Sequence, residues 1–112
     1  MNHYKVIMTD DAVNDLEELC YYIANELKAP QTALSYLQTI RTGIEGLQHM
    51  PERTKTVDDE PWHSRGIRKI LIKNSFVYYW INNETLSVYI LNIIYTRRDQ
   101  LNALGQIDPA KN

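Results

Sequence analysis

Residues 66–95 read GIRKILIKNSFVYYWINNETLSVYILNIIY, and the fold turns on this stretch. Segments 66–73, 76–82 and 86–95 are rich in β-branched and aromatic residues, which pack well on a pleated surface. Asn74-Ser75 and Asn82-Asn83-Glu84 separate them, and links this short make neighbouring strands antiparallel. Phe76, Tyr78 and Trp80 alternate with Val77, Tyr79 and Ile81, so the strand is apolar on both parities, as is the one after it. Strands of that kind belong at the centre of a sheet, with both faces shielded.

Upstream, residues 51–64 are polar, hold Pro51 and Pro61 and the acidic run Asp58-Asp59-Glu60, and predict a loop with one short strand near 54–57. Before the loop lie two helical stripes. Ala12, Leu16, Leu19, Ile23 and Leu27 repeat at spacings of four and three, and Ala33, Leu37, Ile40, Ile44 and Leu47 do the same up to Met50-Pro51. Lys28-Ala29-Pro30 breaks the first pattern, because proline cannot continue a helix but suits the first turn of the next. Two helices joined so briefly form an antiparallel hairpin. In front of them, residues 4–8 predict a strand that stops at a Thr9-Asp10-Asp11 helix cap. Downstream, residues 97–104 suit a last helical turn and 105–112 a flexible tail. The expected architecture is α+β: an N-terminal strand and an α-helical hairpin packed on a C-terminal antiparallel β-sheet, within one domain over residues 1–104.

Bulk properties narrow the function. A chain of 112 residues, 44% apolar and 23% charged, suits one globular core and leaves little room for a large internal cavity, so a surface site is expected. Cys20 is the only cysteine, which rules out an internal disulfide and fits a reducing compartment. The N-terminus lacks a basic stretch followed by an apolar run, and no segment approaches a membrane span, so a cytoplasmic protein is expected. His3, His49 and His63 lack a second ligand at metal spacing, and no glycine-rich phosphate loop is present, so neither metal nor cofactor is expected.

The net charge is −2, yet the cations are concentrated. Arg65, Arg68, Lys69 and Lys73 occur with no acid between His63 and Lys73, and Arg97-Arg98 follows the last strand. If the strand beginning near Gly66 runs close to the last one, both groups converge on one sheet edge, where guanidiniums can hold phosphates. A solvated, salt-bridged face would use the same charges, with Asp58, Asp59, Glu60 and Asp99 at hand. Tyr78, Tyr79, Trp80, Tyr89 and Tyr95 place rings beside the basic set, for stacking on bases or for packing. Tyr95, ending a strand just before Arg97, is the ring expected to emerge at the surface. His63, in a loop beside Arg65, is either a general base or an ordinary loop histidine.

The order of these elements resembles the RelE/ParE superfamily of toxins over residues 4–104. The similar stretches are Thr9-Asp10-Asp11-Ala12, residues 47–53 with their Met50-Pro51 stop, Gly66-Ile67-Arg68-Lys69, Val77-Tyr78-Tyr79-Trp80-Ile81, and Ile94-Tyr95-Thr96-Arg97-Arg98-Asp99. The resemblance implies the toxic half of a type II toxin–antitoxin pair. Its cognate antitoxin would lie over exposed apolar and basic surface, and operator DNA would be engaged only through that partner. Two activities occur on this fold, poisoning of DNA gyrase and cleavage of messenger RNA on the ribosome, and a non-toxic interaction module is a third possibility. RelE-like nucleases place an arginine in the central strand and a tyrosine or histidine late in the chain. The matching positions here are Val77 and Ala103, which favours the gyrase-directed reading, with Arg65, Arg68, Tyr95, Arg97 and Arg98 as target contacts. Under the nuclease reading, Arg68, Lys69, Lys73 and Arg97 would hold the phosphate, and Tyr95 or His63 would move the proton.

Overall fold

A computed structural model of the chain describes residues 3–96. The elements follow the expected order: β1 (Lys5–Met8), α1 (Asp10–Tyr21), α2 (Pro30–Glu45), β2 (Arg68–Ile72), β3 (Ser75–Asn82) and β4 (Ser87–Tyr95). The four strands form one sheet in the order β1-β4-β3-β2. Strands β2, β3 and β4 are antiparallel neighbours, while β1 adds to β4 in parallel. The expected α+β architecture holds, with the two doubly apolar strands at the centre. The tail and the proposed last turn, residues 97–112, lie outside the described residues.

Thr9 links the sheet to the first helix. Its hydroxyl accepts the Ala12 amide as an N-cap and donates to the Ile90 carbonyl 2.7 Å away, so helix start and strand end are fixed by one side chain. Ala12, Leu16, Leu19 and Ile23 of the first stripe are buried. Leu27 is not, at 45% exposure, because the backbone widens into a π-helical turn at Tyr22–Glu26 and rotates the stripe's last member outward. In α2, Tyr36 is buried and Leu37 only half-buried. Tyr36 carries its hydroxyl to Ser75 Oγ at 2.9 Å and accepts the Asn74 amide, fastening the helix to the β2–β3 turn. That turn falls at Lys73-Asn74, one residue earlier than the sequence predicts, with Lys73 at φ 55° and Ser75 buried in β3. The short strand expected near 54–57 is a single bridge, Thr56 to Arg68.

Gly43 sets how closely α2 approaches the sheet. A Cβ there would lie 2.6 and 2.8 Å from Ile72 Cδ1 and Cγ2, and Ile72 is buried and stiff at χ1. Gly43→Ala is therefore expected to lose stability despite the roughly 1 kcal/mol gained in helix propensity, since overpacking costs about 1–3 kcal/mol. Combining it with Ile72→Val should recover part of the loss. Additive effects of the two changes in denaturant unfolding would count against the contact.

Candidate functional site

The helices cover one face of the sheet, and the parity of the strands decides what the other face carries. Val77 and Tyr79 of β3 are fully buried against the helices, so Phe76, Tyr78 and Trp80 point the opposite way. In β4, Val88 and Ile90 face the core, and so do Ile93 and Tyr95. The change of parity comes from a bulge: Tyr78 pairs Asn92 and Tyr79 pairs Ile90, leaving Leu91 as the extra residue.

On this outer face the chain forms a groove of about 700 Å³. Its floor includes Lys69, Tyr78, Leu91 and Ile94, and its wall is the segment 54–67, with Trp62 and Arg65. The Arg65 guanidinium lies 5.6 Å from the Trp62 ring centre, and the Lys69 ammonium lies 4.6 Å from that of Phe76. Asp58 and Asp59 also line the wall, and Lys55 sits 3.8 Å from the Asp58 carboxylate. The wall has an internal brace: Glu60 accepts the Ser64 amide at 3.1 Å and the Ser64 hydroxyl at 2.9 Å. Those bonds hold the Glu60 carboxyl below its ordinary value of 4.5. A depressed acid supports the turn at pH above its unfolded value and ceases to as pH falls through the folded one. The Ser64 amide signal should accordingly titrate with a midpoint below 4.5, and a midpoint at or above it would mean the brace is absent.

The expected site residues do not gather in one place. Arg65 and Lys69 are in the groove. Arg68 pairs with Tyr79, which puts it on the helix side, where its guanidinium donates to the Thr54 carbonyl and, at 3.3 Å, to that of Glu52. Lys73 holds its ammonium 5.8 Å from the Tyr36 ring, away from the groove. His63 places Nδ1 2.8 Å from the Val57 carbonyl, which requires the proton on that nitrogen, and its ring does not line the groove. Tyr95 does not emerge as expected. It is only 8% exposed, with its ring centre 5.6 Å from that of Tyr36 and 6.1 Å from that of Tyr22. Arg97 and Arg98 lie outside the described residues.

Among the described cations, Arg68 also stands away from the end of the last strand, whereas Lys73 lies in the turn that meets it, where the Asn74 carbonyl accepts the Thr96 amide at 2.8 Å. β3 stands between β2 and β4, and Arg68 pairs with Tyr79 while Tyr95 pairs with Ser75 at the other end, four residues or about 13 Å along the strand. Sequence reasoning passed over Trp62 and Asn92. Trp62 carries a usable signal, an indole in an otherwise polar loop, at 48% exposure. Asn92 carries none, because the bulge decides where it points. Burial raises the Cys20 thiol above its ordinary value, which suits a packing role.

A family model described as the ParE toxin of type II toxin–antitoxin systems, parDE, matches residues 6–100. No curated protein sequence matches the chain significantly. Among solved structures, the chain is similar to one from the chromosomal ParDE system of P. aeruginosa. The TM-score is 0.67 at 20% identity, over 83% of this chain and 96% of that one. It is also similar to one from the RelBE2 toxin–antitoxin complex of Mycobacterium tuberculosis, at TM-score 0.61 and 22% identity over 85% and 93%. A mutant of the E. coli toxin RelE in the free state matches at TM-score 0.57 and 11% identity, over 90% and 92%. No described helix is long and apolar enough to cross a membrane.

Proposed function

Because the chain belongs to the ParE toxin family of type II toxin–antitoxin systems, we propose that it arrests growth by acting on DNA gyrase and is held inactive by a cognate antitoxin. Operator DNA, on this reading, is engaged only through the antitoxin. The supporting observation is the make-up of the groove. General acid–base cleavage of RNA needs a proton-transfer group within hydrogen-bond reach of the reacting hydroxyl and cations on the phosphate. Among the described residues, the central-strand position Val77 is fully buried under the helices, Tyr79 and Tyr95 are sealed in the core, and Arg68 is occupied by backbone carbonyls. Of the residues expected for the nuclease reading, Lys69 is the only described one that lines the groove, and with Arg65 beside it the site suits a charged partner.

The test is induction of the chain without antitoxin, with supercoiling and message integrity followed in the same cells. Relaxed DNA or double-strand breaks with intact messages are expected. Cleaved messages with normal supercoiling would overturn the reading in favour of a ribosome-dependent nuclease, and normal growth would favour an interaction module.

Arg97 and Arg98 are the proposed target contacts at the end of the last strand. Arg97→Ala with Arg98→Ala should weaken target binding by roughly 30-fold or more, the loss expected when a buried, hydrogen-bonded charge pair at an interface loses one partner. Growth should recover while the melting temperature stays at the parent's value. Undiminished toxicity in that variant would remove both arginines from the contact.

A further inference from the structure

The outer sheet face carries aromatic side chains in a row. Phe76, Tyr78 and Trp80 leave β3 on the same side at successive two-residue steps, which spaces them by about 7 Å. Tyr89 of β4 extends the row sideways, stacked on Trp80 with ring centres 5.9 Å apart and planes 29° from parallel. Lys69 sits directly across from Tyr78 in the β2–β3 register, and Trp62 with Arg65 stands in the groove wall. Rings at this repeat, displayed on a sheet with Lys69 across from Tyr78 and Arg65 in the wall, match the extended repeat of an unstacked polynucleotide, whose bases offer flat faces and whose phosphates offer charge.

We propose that this face binds single-stranded DNA, with bases stacked on Tyr78, Trp80 and Trp62 and phosphates held by Lys69 and Arg65. A duplex hides its base faces, so rings on a sheet have nothing to stack on there. The groove's charges nearly cancel, Lys55, Arg65 and Lys69 against Asp58 and Asp59, so stacking rather than phosphate attraction supplies most of the binding. Leu91 and Ile94 give the floor apolar side chains that suit a deoxyribose, while Asn92, opposite Tyr78, holds its side-chain amide on the Asp15 carboxylate at 3.2 Å. The inference goes beyond the gyrase reading and does not depend on it.

The experiment titrates the full-length protein with a labelled short oligothymidylate, following anisotropy and the quenching of the two tryptophans. Binding is expected with a shallow salt dependence, log K falling against log salt with a slope no steeper than about −1.5, since two cations meet phosphates at about 0.7 each. Trp80→Ala and Tyr78→Ala should each weaken it by roughly five- to 150-fold. Trp80→Phe, which keeps a ring, should retain most of it. Trp80 is 37% exposed, so its variants keep the fold, which circular dichroism checks.

The proposal is overturned by equal affinity for duplex, by unchanged affinity in both folded alanine variants, or by tighter binding of oligouridylate. No response to DNA, with sedimentation showing a dimer, would assign the face to a second copy of the chain. None of these measurements contains gyrase, so a parent protein that leaves supercoiling intact overturns the target reading and not this one.

Discussion

Replacing Tyr79 with phenylalanine should lower the melting temperature by roughly 5–15 °C, although only one oxygen is lost. The side chain is fully buried in the central strand, and its hydroxyl donates to the Pro51 carbonyl and meets Thr54 Oγ1, both at 2.6 Å. Removing it leaves two groups without their partner, which costs about 1–3 kcal/mol, and each kcal/mol is worth roughly 4–8 °C in a domain of about this size. Tyr79→Ala adds a cavity and should cost about 3–5 kcal/mol. The effect reaches the groove, because the bond fastens the turn at Pro51–Arg53 that leads into the wall at Thr54–Asp59. Arg68 donates to the carbonyls of the same turn, so its loss should show coupling with Tyr79→Phe in a double-mutant cycle. Burial, outweighing the bond to Thr54, raises the Tyr79 phenol above its ordinary value of 10.0. A raised group contributes stability below its unfolded value and loses it as pH climbs through the folded one, so the parent should weaken above pH 10 and the phenylalanine variant should lack that component. An unchanged melting temperature in Tyr79→Phe would mean the hydroxyl is satisfied by water in solution.

Asp15→Ala should cost about 1–3 kcal/mol and expose a strand edge. β1 ends at Met8 and pairs with β4 only as far as Ile90, so beyond it β4 has β3 on one side and no described strand on the other. Side chains of the next segment take over. Thr9 donates to the carbonyls of Ile90 and Leu91, and the Asp15 carboxylate accepts the Ile93 amide at 2.9 Å and the Asn92 side-chain amide at 3.2 Å. Bonds to a charged acceptor are worth about 1.5–3 kcal/mol, and an unpaired edge invites pairing with other chains. Asp15→Asn keeps one acceptor oxygen and should lose less. The readouts are denaturant midpoint, hydrogen exchange at Ile93 and concentration-dependent aggregation. An Ile93 amide that exchanges no faster in Asp15→Ala would show that the carboxylate is not its cap.

Most of the fold was legible because its signals are local. The spacing of Ala12, Leu16, Leu19 and Ile23, the Pro30 start of α2, the Thr9 cap and the turn residues between strands each fix their own neighbourhood. Tyr36 shows the limit: its hydroxyl finds Ser75 and Asn74 nearly forty positions away, and no local pattern announces that.

The site was less legible for a reason that lies in the same residues that revealed the sheet. Strands apolar on both parities announce a central position but erase the alternation that would tell the inner face from the outer. Tyr78 and Tyr79 are equivalent in sequence, yet one lines the groove and the other is sealed beneath the helices. In β4 the bulge at Leu91 reverses the parity partway, which turns Tyr95 into the core. Likewise Arg68 and Lys69 are adjacent cations, but the pleat sends one to the carbonyls of a turn and the other to the groove. Sequence by itself determined the order and type of the elements, the family, and that cations and rings would lie near each other. Which of them share a surface was decided only when the helical hairpin took one side of the sheet, because the direction of a strand side chain is set by what covers each face.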